Sequence, residues 1–401
     1  MCGSSDVRPF LDLSPQPPAN SFTKPESFAR ENAYPLIAYF CNDCGLAQLL
    51  DVVDKKELFS DYVYFTSVMP TTPKHFTEYG KDIIDRFGLK KNDEMVVELG
   101  SNDGLLLRAF QEQGIRVLGV DPAKNIAKVA NKKGIPTIAD FWSESIAKKI
   151  RGKYGKAKVI IGNNVVAHID DHRDMVKGVN ALLKDDGVFI FEAPYLVDMF
   201  ENLTFDTIYH EHLSFLSLRP LIRFFEQFGL QIFDVELKSV QGHSFRVFVS
   251  KAGVYSVSVR VKKAVEKELR LKMNKFSSYL KLANEVRSQK KKLLTILKNL
   301  KSQGKSIAGY GAPAKGNTLL NYYGIGHETL DYLTEALPTK IGLWSPGMHI
   351  PVIDIETAHK SPPDYFLMLA WNYKEKIFGK EKAFRDKGGK FIIPVGGVKI
   401  L

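Results

Sequence analysis

The feature that most constrains the fold is an alternation of strand and helix patterns between residues 76 and 255. The apolar run EMVVELG ends at Gly100, and LLLRAFQEQG follows it with helical spacing. Further apolar runs, IRVLGVDP, AKVIIGNNV and VFIFEAPY, are separated by segments of helical spacing. Strands that alternate with helices in this way form a mostly parallel sheet covered on both faces. We therefore predict an α/β domain over residues 76–255.

The segments on either side of this domain have different patterns. Residues 1–75 are rich in proline and short apolar runs. We predict a small irregular module, which needs an additional stabilising element such as a bound metal ion. Residues 256–401 begin with a basic helical stretch and then repeat the order of strand, glycine-rich turn and helix in KSIAGYGAPAKGNTLLNYYG. This order predicts a second, smaller α/β domain.

The net charge of +11 is concentrated in one segment. Residues 260–305 hold 15 Lys and Arg against 3 Asp and Glu, whereas the rest of the chain is nearly neutral. Apolar residues near helical spacing predict one or two long amphipathic helices here, ended by Gly304. The basic face is either a solvated helix surface or a lining for a phosphate-bearing ligand.

The chain shows no pattern of membrane insertion or export. It has no run of about 18 apolar residues, so we expect no transmembrane helix. The N-terminus, MCGSSDVRPF, lacks the charged start and apolar stretch of a signal peptide. We therefore expect a cytoplasmic protein that does not act at a membrane.

The three cysteines are Cys2, Cys41 and Cys44. In a cytoplasmic chain, two cysteines separated by two residues bind metal or do redox chemistry more often than they form a structural disulfide. Cys41 and Cys44, followed by a glycine, form half of a zinc knuckle, and only Cys2 is present for the other half. Either the N-terminus is clipped, or the fourth ligand is another group, or no zinc binds. A bound zinc ion would be structural.

The first glycine turn, VVELGSNDGLLL, places Gly100 and Gly104 where a strand passes into a helix, which lets the backbone approach a ligand closely. Asp121 ends the next strand, where a carboxylate can accept hydrogen bonds from both ribose hydroxyls. Glu98 precedes the first glycine and disfavours a pyrophosphate at the helix N-terminus, because like charges would meet. A ligand with an ammonium group suits this turn. We therefore predict a site for S-adenosylmethionine rather than for NAD, with Asn102 inside the turn.

The segment IADFW supplies two further candidates for the same site. Asp140 offers a polar group and Phe141 offers a ring, both suited to adenine. Asp140 is equally well explained as an ordinary turn residue.

The second glycine turn, GYGAPAKGN, contains Gly309, Gly311 and Gly316 together with Lys315, and no carboxylate precedes its glycines. Backbone N–H groups and a lysine form a cradle for an anion. This turn therefore predicts a phosphate site.

Six motifs in order connect these sites to one family. ELGSNDG, GNNVVAH, FEAPY, YHEH, GYGAPAKGN and SPGMHIPV together resemble the nucleotide-sugar C-methyltransferases, over nearly the whole chain. The resemblance implies a zinc-binding N-terminal module over 1–75 and a class I, Rossmann-like S-adenosylmethionine domain over 76–255. It also implies a C-terminal Rossmann-like domain over 256–401 that binds the nucleotide sugar.

The resemblance implies a catalytic role for the motif YHEH. C-methylation beside a ketone requires removal of a proton and stabilisation of the enolate; histidine is a suitable base, and a neighbouring donor stabilises the oxygen. The resemblance implies that His212 is the base and that Glu211 and Tyr209 hold and orient the sugar, while His210 is variable. The alternative is that Tyr209 and His212 cap a helix or satisfy hydrogen bonds in the core.

The resemblance implies further residues around the sugar. Asn164 and His168, from GNNVVAH, would contact the sugar, and Asn163 would lie near the methyl donor. Two consecutive asparagines are also a common turn signal. A catalytic tyrosine is expected in DYVYFTS, which we assign to Tyr64 with Tyr62 as the alternative; a structural role in a small domain is equally compatible with the sequence.

For the C-terminal domain, the resemblance implies that it binds the nucleoside diphosphate. Lys315 and Gly311 would contact a phosphate, and His349 of SPGMHIPV would line the same site. Ile341 and Met348 stand where the family pattern has Gln and Thr, which leaves the nucleotide base open.

We therefore predict a monomeric enzyme that methylates C3 of a 4-keto-deoxysugar linked to dTDP, the nucleotide being chosen by its frequency in the family. The alternative is an RNA methyltransferase that uses residues 260–305 for phosphate contacts and the cysteines as a zinc knuckle. In that stretch, Phe276 and Tyr279 are the only aromatic residues between the basic ones, and no RNA-binding sequence pattern occurs. We therefore expect no nucleic-acid partner. A non-catalytic binding protein is a third possibility, against which YHEH argues.

Overall fold

The computed structural model describes residues 1–59, 72–238 and 244–401, so Tyr62 and Tyr64 lie outside the described residues. The chain folds into two compact units, each made of separate stretches of sequence. The first is built mainly from Val53–Tyr195 and Ser214–Arg270, and the second from Asp6–Val52, Leu196–Leu213 and Leu271–Leu401. The three-part division at residues 75 and 255 stays a prediction.

The first unit contains a seven-stranded sheet with one strand, Ser244–Lys251, antiparallel to both of its neighbours. The strand Met95–Leu99 is buried along its whole length. The next strands in the chain are added on one side of it, and later strands are added on its other side. Ligands bind at such a switch point in α/β sheets. The order across the sheet is Leu230–Lys238, Ser244–Lys251, Leu183–Pro194, Ala157–Ile161, Met95–Leu99, Arg116–Val120, Thr137–Ile138.

Helices cover this sheet, and their ends follow the sequence. Ser143 accepts a hydrogen bond from the N–H of Ile146, and Asp171 accepts one from Asp174, so each caps a helix N-terminus. The core joins apolar side chains of the central strands to those of the covering helices, as Val96 and Phe110 illustrate. The α-helices are Lys55–Phe59, Thr72–Phe87, Leu105–Gln111, Lys124–Lys132, Glu144–Tyr154, His172–Leu182, Leu218–Glu226 and Val259–Arg270, with a 3₁₀ turn at Val166–His168 and a short strand at Ser214–Phe215.

The second unit contains a six-stranded sheet whose first five strands are parallel and whose last is antiparallel to its neighbour. The strand Ile307–Tyr310 lies between Leu333–Glu335 and Tyr365–Met368, so this sheet also has a switch point at the end of a strand that enters a glycine turn. The order across the sheet is Val352–Asp354, Leu333–Glu335, Ile307–Tyr310, Tyr365–Met368, Lys390–Ile393, Lys399–Ile400.

The N-terminal strands pack on a long helix of the same unit. Antiparallel strands Val7–Asp12 and Ile37–Cys41 place Phe10 and Phe40 against Tyr279, with ring centroids 4.9 and 4.5 Å away. The predicted N-terminal module is thereby stabilised by aromatic packing. A third strand, Ala47–Leu49, pairs antiparallel with Ile37–Cys41.

The basic stretch forms two helices, Val259–Arg270 and Phe276–Ser302, and Gly304 follows in a left-handed conformation with φ of 71°. The remaining α-helices of the second unit are Leu196–Asn202, Ala314–Tyr323, Ile355–Lys360, Lys374–Lys380 and Lys382–Asp386, with 3₁₀ turns at Pro25–Arg30, Phe205–Thr207 and Trp371–Tyr373. Across the described ranges, none of the helices combines the length and the apolar character that a membrane crossing requires.

Candidate active site

The first glycine turn follows the central strand Met95–Leu99. Gly100 and Gly104 have φ of 61° and 79°, which glycine adopts without strain. A Cβ on Gly100 would collide with the Val165 side chain, and one on Gly104 would lie 2.8 Å from Ile135 Cγ2. The turn therefore needs glycine both for its backbone conformation and for space. Asn102, between them, is also left-handed, with φ of 47°.

Buried acids surround this turn. The carboxylate of Asp121 accepts hydrogen bonds from the N–H groups of Asn102 at 2.8 Å and of Ala123 at 2.9 Å, so it holds the loop in shape. Burial raises the pKa of Asp121, and it raises the pKa of Glu98 well above the usual range, with the charges of Asp121 and Asp103 acting in the same direction. A bound cation would relieve this repulsion.

Several oxygen atoms at the turn have no hydrogen-bond partner in the described part of the chain. They are buried and belong to Glu98 (Oε2), Ser101 (Oγ) and Asp103 (Oδ1). Buried acceptors of this kind require donors, which an ammonium group and hydroxyl groups supply. The residues present therefore fit a ligand with an amino group and a ribose, and they do not fit a pyrophosphate.

The turn after strand Ala157–Ile161 contains the predicted asparagine pair. Asn163 Oδ1 accepts hydrogen bonds from the N–H of Glu192 at 3.0 Å and from the Tyr79 hydroxyl at 3.4 Å, while its buried Nδ2 has no partner among the described residues. Asn164 is left-handed, with φ of 54°, and its N–H donates to the Glu192 carbonyl at 2.7 Å. The pair therefore forms the turn and also leaves one amide donor for a ligand.

An ion pair that the sequence did not reveal supports this turn. Arg246 Nε donates to Glu192 Oε1 at 2.7 Å, and its guanidinium carbon lies 3.4 Å from the ring centroid of Tyr79. Burial opposes ionisation of Glu192, but the proximity of His75, whose Nε2 lies 3.8 Å from Glu192 Oε2, and the charge of Arg246 lower its pKa below the usual range. Tyr79, and through it Asn163, is therefore held by a buried charge.

Three other predicted residues of this unit occupy less buried positions. His168 ends a 3₁₀ turn and stacks on Phe59 with ring centroids 5.7 Å apart. Asp140 is exposed and accepts a hydrogen bond from the N–H of Phe141 at 2.8 Å, as a turn residue does. The ring of Phe141 lies 5.3 Å from the ammonium of Lys55.

The YHEH motif follows the 3₁₀ turn Phe205–Thr207 in the second unit. His212 Nδ1 lies 2.7 Å from the Thr207 carbonyl, and His212 Nε2 lies 2.9 Å from the Tyr209 hydroxyl. A carbonyl only accepts, so Nδ1 carries the proton and Nε2 accepts from Tyr209. Burial lowers the pKa of His212 to about 4, opposed by the Thr207 carbonyl and assisted by the charge of Lys315. The imidazole is therefore neutral at neutral pH.

The other two residues of the motif have different surroundings. Asn20 Nδ2 donates to Glu211 Oε1 at 2.6 Å, so a residue of the N-terminal segment orients this buried carboxylate. His210 Nε2 lies 3.3 and 3.1 Å from the carbonyls of Tyr34 and Pro35. His210 therefore ties the motif to the N-terminal segment, and its variability stays a prediction.

The second glycine turn follows strand Ile307–Tyr310. Gly311 has φ of 86°, and a Cβ there would lie 2.9 Å from the Cβ of Ala370. Its N–H donates to Thr334 Oγ1 at 3.1 Å, which fixes the turn ahead of the helix Ala314–Tyr323. A buried second lysine, Lys340, donates to the Ala312 carbonyl of this turn at 2.9 Å.

Lys315 lies in the first turn of that helix, beside an aromatic ring and an acid. Its ammonium is 4.1 Å from the ring centroid of Trp371, and the indole N–H of Trp371 donates to Asp206 Oδ2 at 2.7 Å. Burial lowers the pKa of Lys315 to about 8, with Asp206 acting against this shift. Burial raises the pKa of Asp206 to about 6, with Lys315 acting against it.

His349 contacts the N-terminal segment. Its ring stacks on Phe28 at a centroid distance of 3.7 Å, and its Nε2 lies 2.9 Å from Glu31 Oε2. The same carboxylate oxygen accepts a hydrogen bond from the N–H of Gly347 at 3.0 Å. The predicted substrate residue is thus oriented by an acid and a ring from residues 25–31.

The three cysteines come together as a possible ligand group. One sulfur atom from each of Cys2, Cys41 and Cys44 lies within 4.8 Å of the others. Zinc is held by thiolates in tetrahedral sites of four ligands, so this group fits zinc with three of the four positions. Among the described residues, no fourth His, Cys, Asp or Glu joins the group.

Comparison with known proteins agrees with this architecture. Family models match three consecutive parts of the chain: “Putative zinc binding domain” over residues 1–59, “Methyltransferase domain” over 74–235 and “C-methyltransferase C-terminal domain” over 239–396. The sheet of the first unit, with its single antiparallel strand, and the second of these matches confirm the predicted class I methyltransferase fold. The chain is therefore a methyltransferase.

One relative makes the assignment more specific. The C-methyltransferase NovU of Streptomyces niveus is 35% identical over 403 residues, which covers 100% of this chain and 96% of the relative. This chain belongs to the C-methyltransferase family, as the ordered motifs predicted.

Solved structures show weaker similarity. An S-adenosylmethionine-dependent methyltransferase from Clostridium acetobutylicum is 14% identical, with a TM-score of 0.36 over 45% of this chain and 92% of that one. The magnesium protoporphyrin IX methyltransferase of Synechocystis PCC 6803, with bound SAH, is 12% identical, with a TM-score of 0.35 over 45% of this chain and 83% of that one. At these values neither structure supports a statement about this chain.

Proposed function

We propose that this C-methyltransferase uses S-adenosylmethionine to methylate a carbon next to a ketone, on a sugar carried by a nucleoside diphosphate. The specific substrate that we propose is a dTDP-linked 4-keto-deoxysugar, methylated at C3. The observation that carries the proposal is the pair formed by the neutral His212 and Tyr209. A neutral imidazole beside a hydroxyl suits proton removal from a carbon acid.

Support for the methyl donor comes from the first glycine turn. Glu98, Ser101 and Asp103 each have a buried oxygen without a hydrogen-bond partner among the described residues, and these oxygens suit an ammonium group and hydroxyl donors. We assign the ribose hydroxyls to Asp121, which directly follows the neighbouring strand Arg116–Val120. A dinucleotide would bring its pyrophosphate to the same acids, which like charge disfavours. When bound, S-adenosylmethionine supplies an electrophilic methyl group.

Support for the nucleotide sugar comes from the second glycine turn. It has two cations, Lys315 and Lys340, and the first turn of its helix contains no acid. Such a helix N-terminus with neighbouring lysines suits a diphosphate. We assign His349 to the nucleotide, with Glu31 and Phe28 holding its ring in place.

The proposed proton transfer uses the tautomer of His212 that its contact with the Thr207 carbonyl implies. The Thr207 carbonyl holds the proton on Nδ1, so Nε2 takes the proton from the sugar carbon while the C–H electron pair becomes part of the enolate. Tyr209, whose hydroxyl donates to Nε2 in the structure, turns to donate to the enolate oxygen. The enolate carbon would then form a bond to the methyl group that S-adenosylmethionine supplies, while the bond from that methyl group to sulfur breaks and S-adenosylhomocysteine leaves, and His212 would release its proton to water.

The family resemblance assigns further side chains to the sugar in this proposal. Glu211, which Asn20 orients, accepts a hydrogen bond from a sugar hydroxyl. Asn164 and His168 are assigned to the sugar by the resemblance alone. The role of Tyr64 stays a prediction because it lies outside the described residues. We assign a structural zinc ion to Cys2, Cys41 and Cys44, with a fourth ligand from outside that group.

The function is tested with S-adenosylmethionine carrying a ¹³C-labelled methyl group and a dTDP-4-keto-6-deoxysugar. We expect a product whose labelled methyl shows one-bond carbon–carbon coupling to C3 by NMR. A label on oxygen, or no transfer to any keto sugar nucleotide, would contradict the proposal. RNA incubated in parallel should receive no label, since no observation favours the RNA methyltransferase considered above.

A further inference from the structure

One buried acid beside the YHEH motif has no role in the proposed reaction. Asp206 has no exposed surface, and it lies in the 3₁₀ turn that precedes the motif. Its Oδ1 is buried without a hydrogen-bond partner in the described ranges, whereas Oδ2 accepts from Trp371. A fully buried carboxylate with an unsatisfied oxygen is costly for folding, so it requires an explanation.

Trp371 connects this acid to Lys315. The indole donates through Nε1, at its edge, to Asp206 at 2.7 Å, and its ring centroid lies 4.1 Å from the ammonium of Lys315. An ammonium over an indole ring is attracted electrostatically, most strongly where water is excluded. Asp206 therefore fixes the ring on which the lysine rests and also provides a negative charge near it.

We propose that Asp206 is a positioning residue that keeps Lys315 charged and fixed in place for the anionic part of the substrate. The part about the substrate rests on the proposed function; the control of Lys315 by Asp206 does not. Burial by itself favours a neutral lysine, because the charged form loses hydration. The nearby carboxylate offsets this loss, so Lys315 still carries its charge at neutral pH.

Other charged groups near Lys315 do not replace Asp206. Asp198, from helix Leu196–Asn202, supports the charge of Lys315 more weakly than Asp206 does. The neutral imidazole of His212 provides no negative charge. The ionisable groups associated with Lys315 and Asp206 in this region are Asp198, Tyr209, His212 and Tyr323.

The titration of Lys315 can be measured without any substrate. Full-length protein is labelled competitively with acetic anhydride across a pH series, and the peptide containing Lys315 is quantified by mass spectrometry. We expect a midpoint of about 8 in the wild-type protein. Asp206→Asn should move it down by about one pH unit, a tenfold change in the ratio of charged to neutral lysine. Asp206→Glu should largely restore it.

Two control variants make this comparison specific. Asp198→Asn removes the second carboxylate and should give a smaller downward shift. Glu335→Gln removes the acid 3.9 Å from Lys340 and should leave the Lys315 midpoint unchanged. If Asp206→Asn leaves that midpoint at the wild-type value, or shifts it no more than Glu335→Gln does, the proposal is overturned.

A second measurement uses the native acid and does not depend on the folding of Asp206→Asn. In a Trp142→Phe, Trp344→Phe background, Trp371 is the one remaining tryptophan. Its fluorescence should change with a midpoint near pH 6, as Asp206 titrates. A flat profile between pH 5 and 8 would overturn the proposal. Failure of methyl transfer with both titrations as expected would count against the proposed function and not against the role of Asp206.

Discussion

The two glycine turns of this protein share a backbone design and differ in charge. Each follows a strand at a switch point of a mostly parallel sheet, and each contains a glycine against which a neighbouring residue packs. The first is surrounded by Glu98, Asp103 and Asp121, whereas the second has Lys315 and Lys340. In the proposed function, each turn gives a ligand close access to the backbone, while the neighbouring side chains select the sign of the ligand's charge.

The largest expected effect tests the backbone design at the first turn. Gly100→Ala would force alanine into a left-handed backbone conformation, and its Cβ would collide with the Val165 side chain. We expect the free energy of unfolding to fall by about 3 kcal/mol and S-adenosylhomocysteine binding to be lost. Gly88 is the matched control, because it has nearly the same φ, 60°, with no atom within 4 Å of an added Cβ.

Gly88→Ala should cost only about 1 kcal/mol, the price of backbone strain alone. Denaturant unfolding and calorimetric titration measure both quantities. Equal losses in the two variants would mean that the close approach at Gly100 does not matter.

A cross-over experiment tests whether charge selects the ligand at the second turn. Lys315→Gln should weaken binding of a nucleoside diphosphate by about 10- to 100-fold, as expected for loss of a charge-assisted contact. It should leave S-adenosylhomocysteine binding unchanged. The exposed Lys380→Gln is a control for general loss of positive charge. If both ligands weaken equally with Lys315→Gln, the assignment of opposite charges to the two turns is wrong.

The complementary change at the first turn should be smaller. Glu98→Gln keeps the shape of the side chain and removes the carboxylate, whose charged form a bound ammonium group would favour, so we expect S-adenosylhomocysteine binding to weaken by about 3- to 10-fold. Nucleoside diphosphate binding should stay at the wild-type value. Isothermal titration of both ligands against both variants completes the comparison, and tighter donor binding in Glu98→Gln would argue against an ammonium contact.

The smallest effect concerns stability and pH. Burial and neighbouring acids raise the pKa of Glu98 in the folded state, so the folded protein holds this proton to a higher pH than the unfolded chain. Glu98 therefore contributes its full share to the free energy of unfolding below the pKa that it has in the unfolded chain. This contribution is lost as the pH rises through the pKa of Glu98 in the folded protein. Glu98→Gln should flatten that decline in thermal unfolding, and an unchanged profile would show that Glu98 does not cause it.

The sequence predicted those parts of the site that short motifs encode. Gly100, Gly104 and Lys315 are recognisable because a strand, a turn and a helix follow one another in the chain, and the structure has these elements. The tautomer of His212 depends on Thr207, only five residues away, yet no sequence pattern states which carbonyl a histidine contacts. Local order is therefore predictable, while side-chain pairing within it is not.

Residues that meet through tertiary packing were missed. Asp206 and Trp371 are 165 residues apart in sequence, and Asn20 and Glu211 are 191 apart. An aspartate ahead of YHEH has the sequence pattern of an ordinary turn residue, because only packing decides that it is buried. The pair of Arg246 and Glu192 was missed for the same reason, since each has an apolar residue on either side in its strand.

The proposal that His212 is the base is tested most directly by solvent exchange. The sugar nucleotide is incubated in D₂O with S-adenosylhomocysteine in place of the methyl donor, and deuterium at the carbon next to the ketone is followed by NMR. We expect His212→Asn to slow exchange by about 100-fold or more, while the exposed His327→Asn exchanges like the wild-type protein. Exchange by His212→Asn at the wild-type rate would contradict the account.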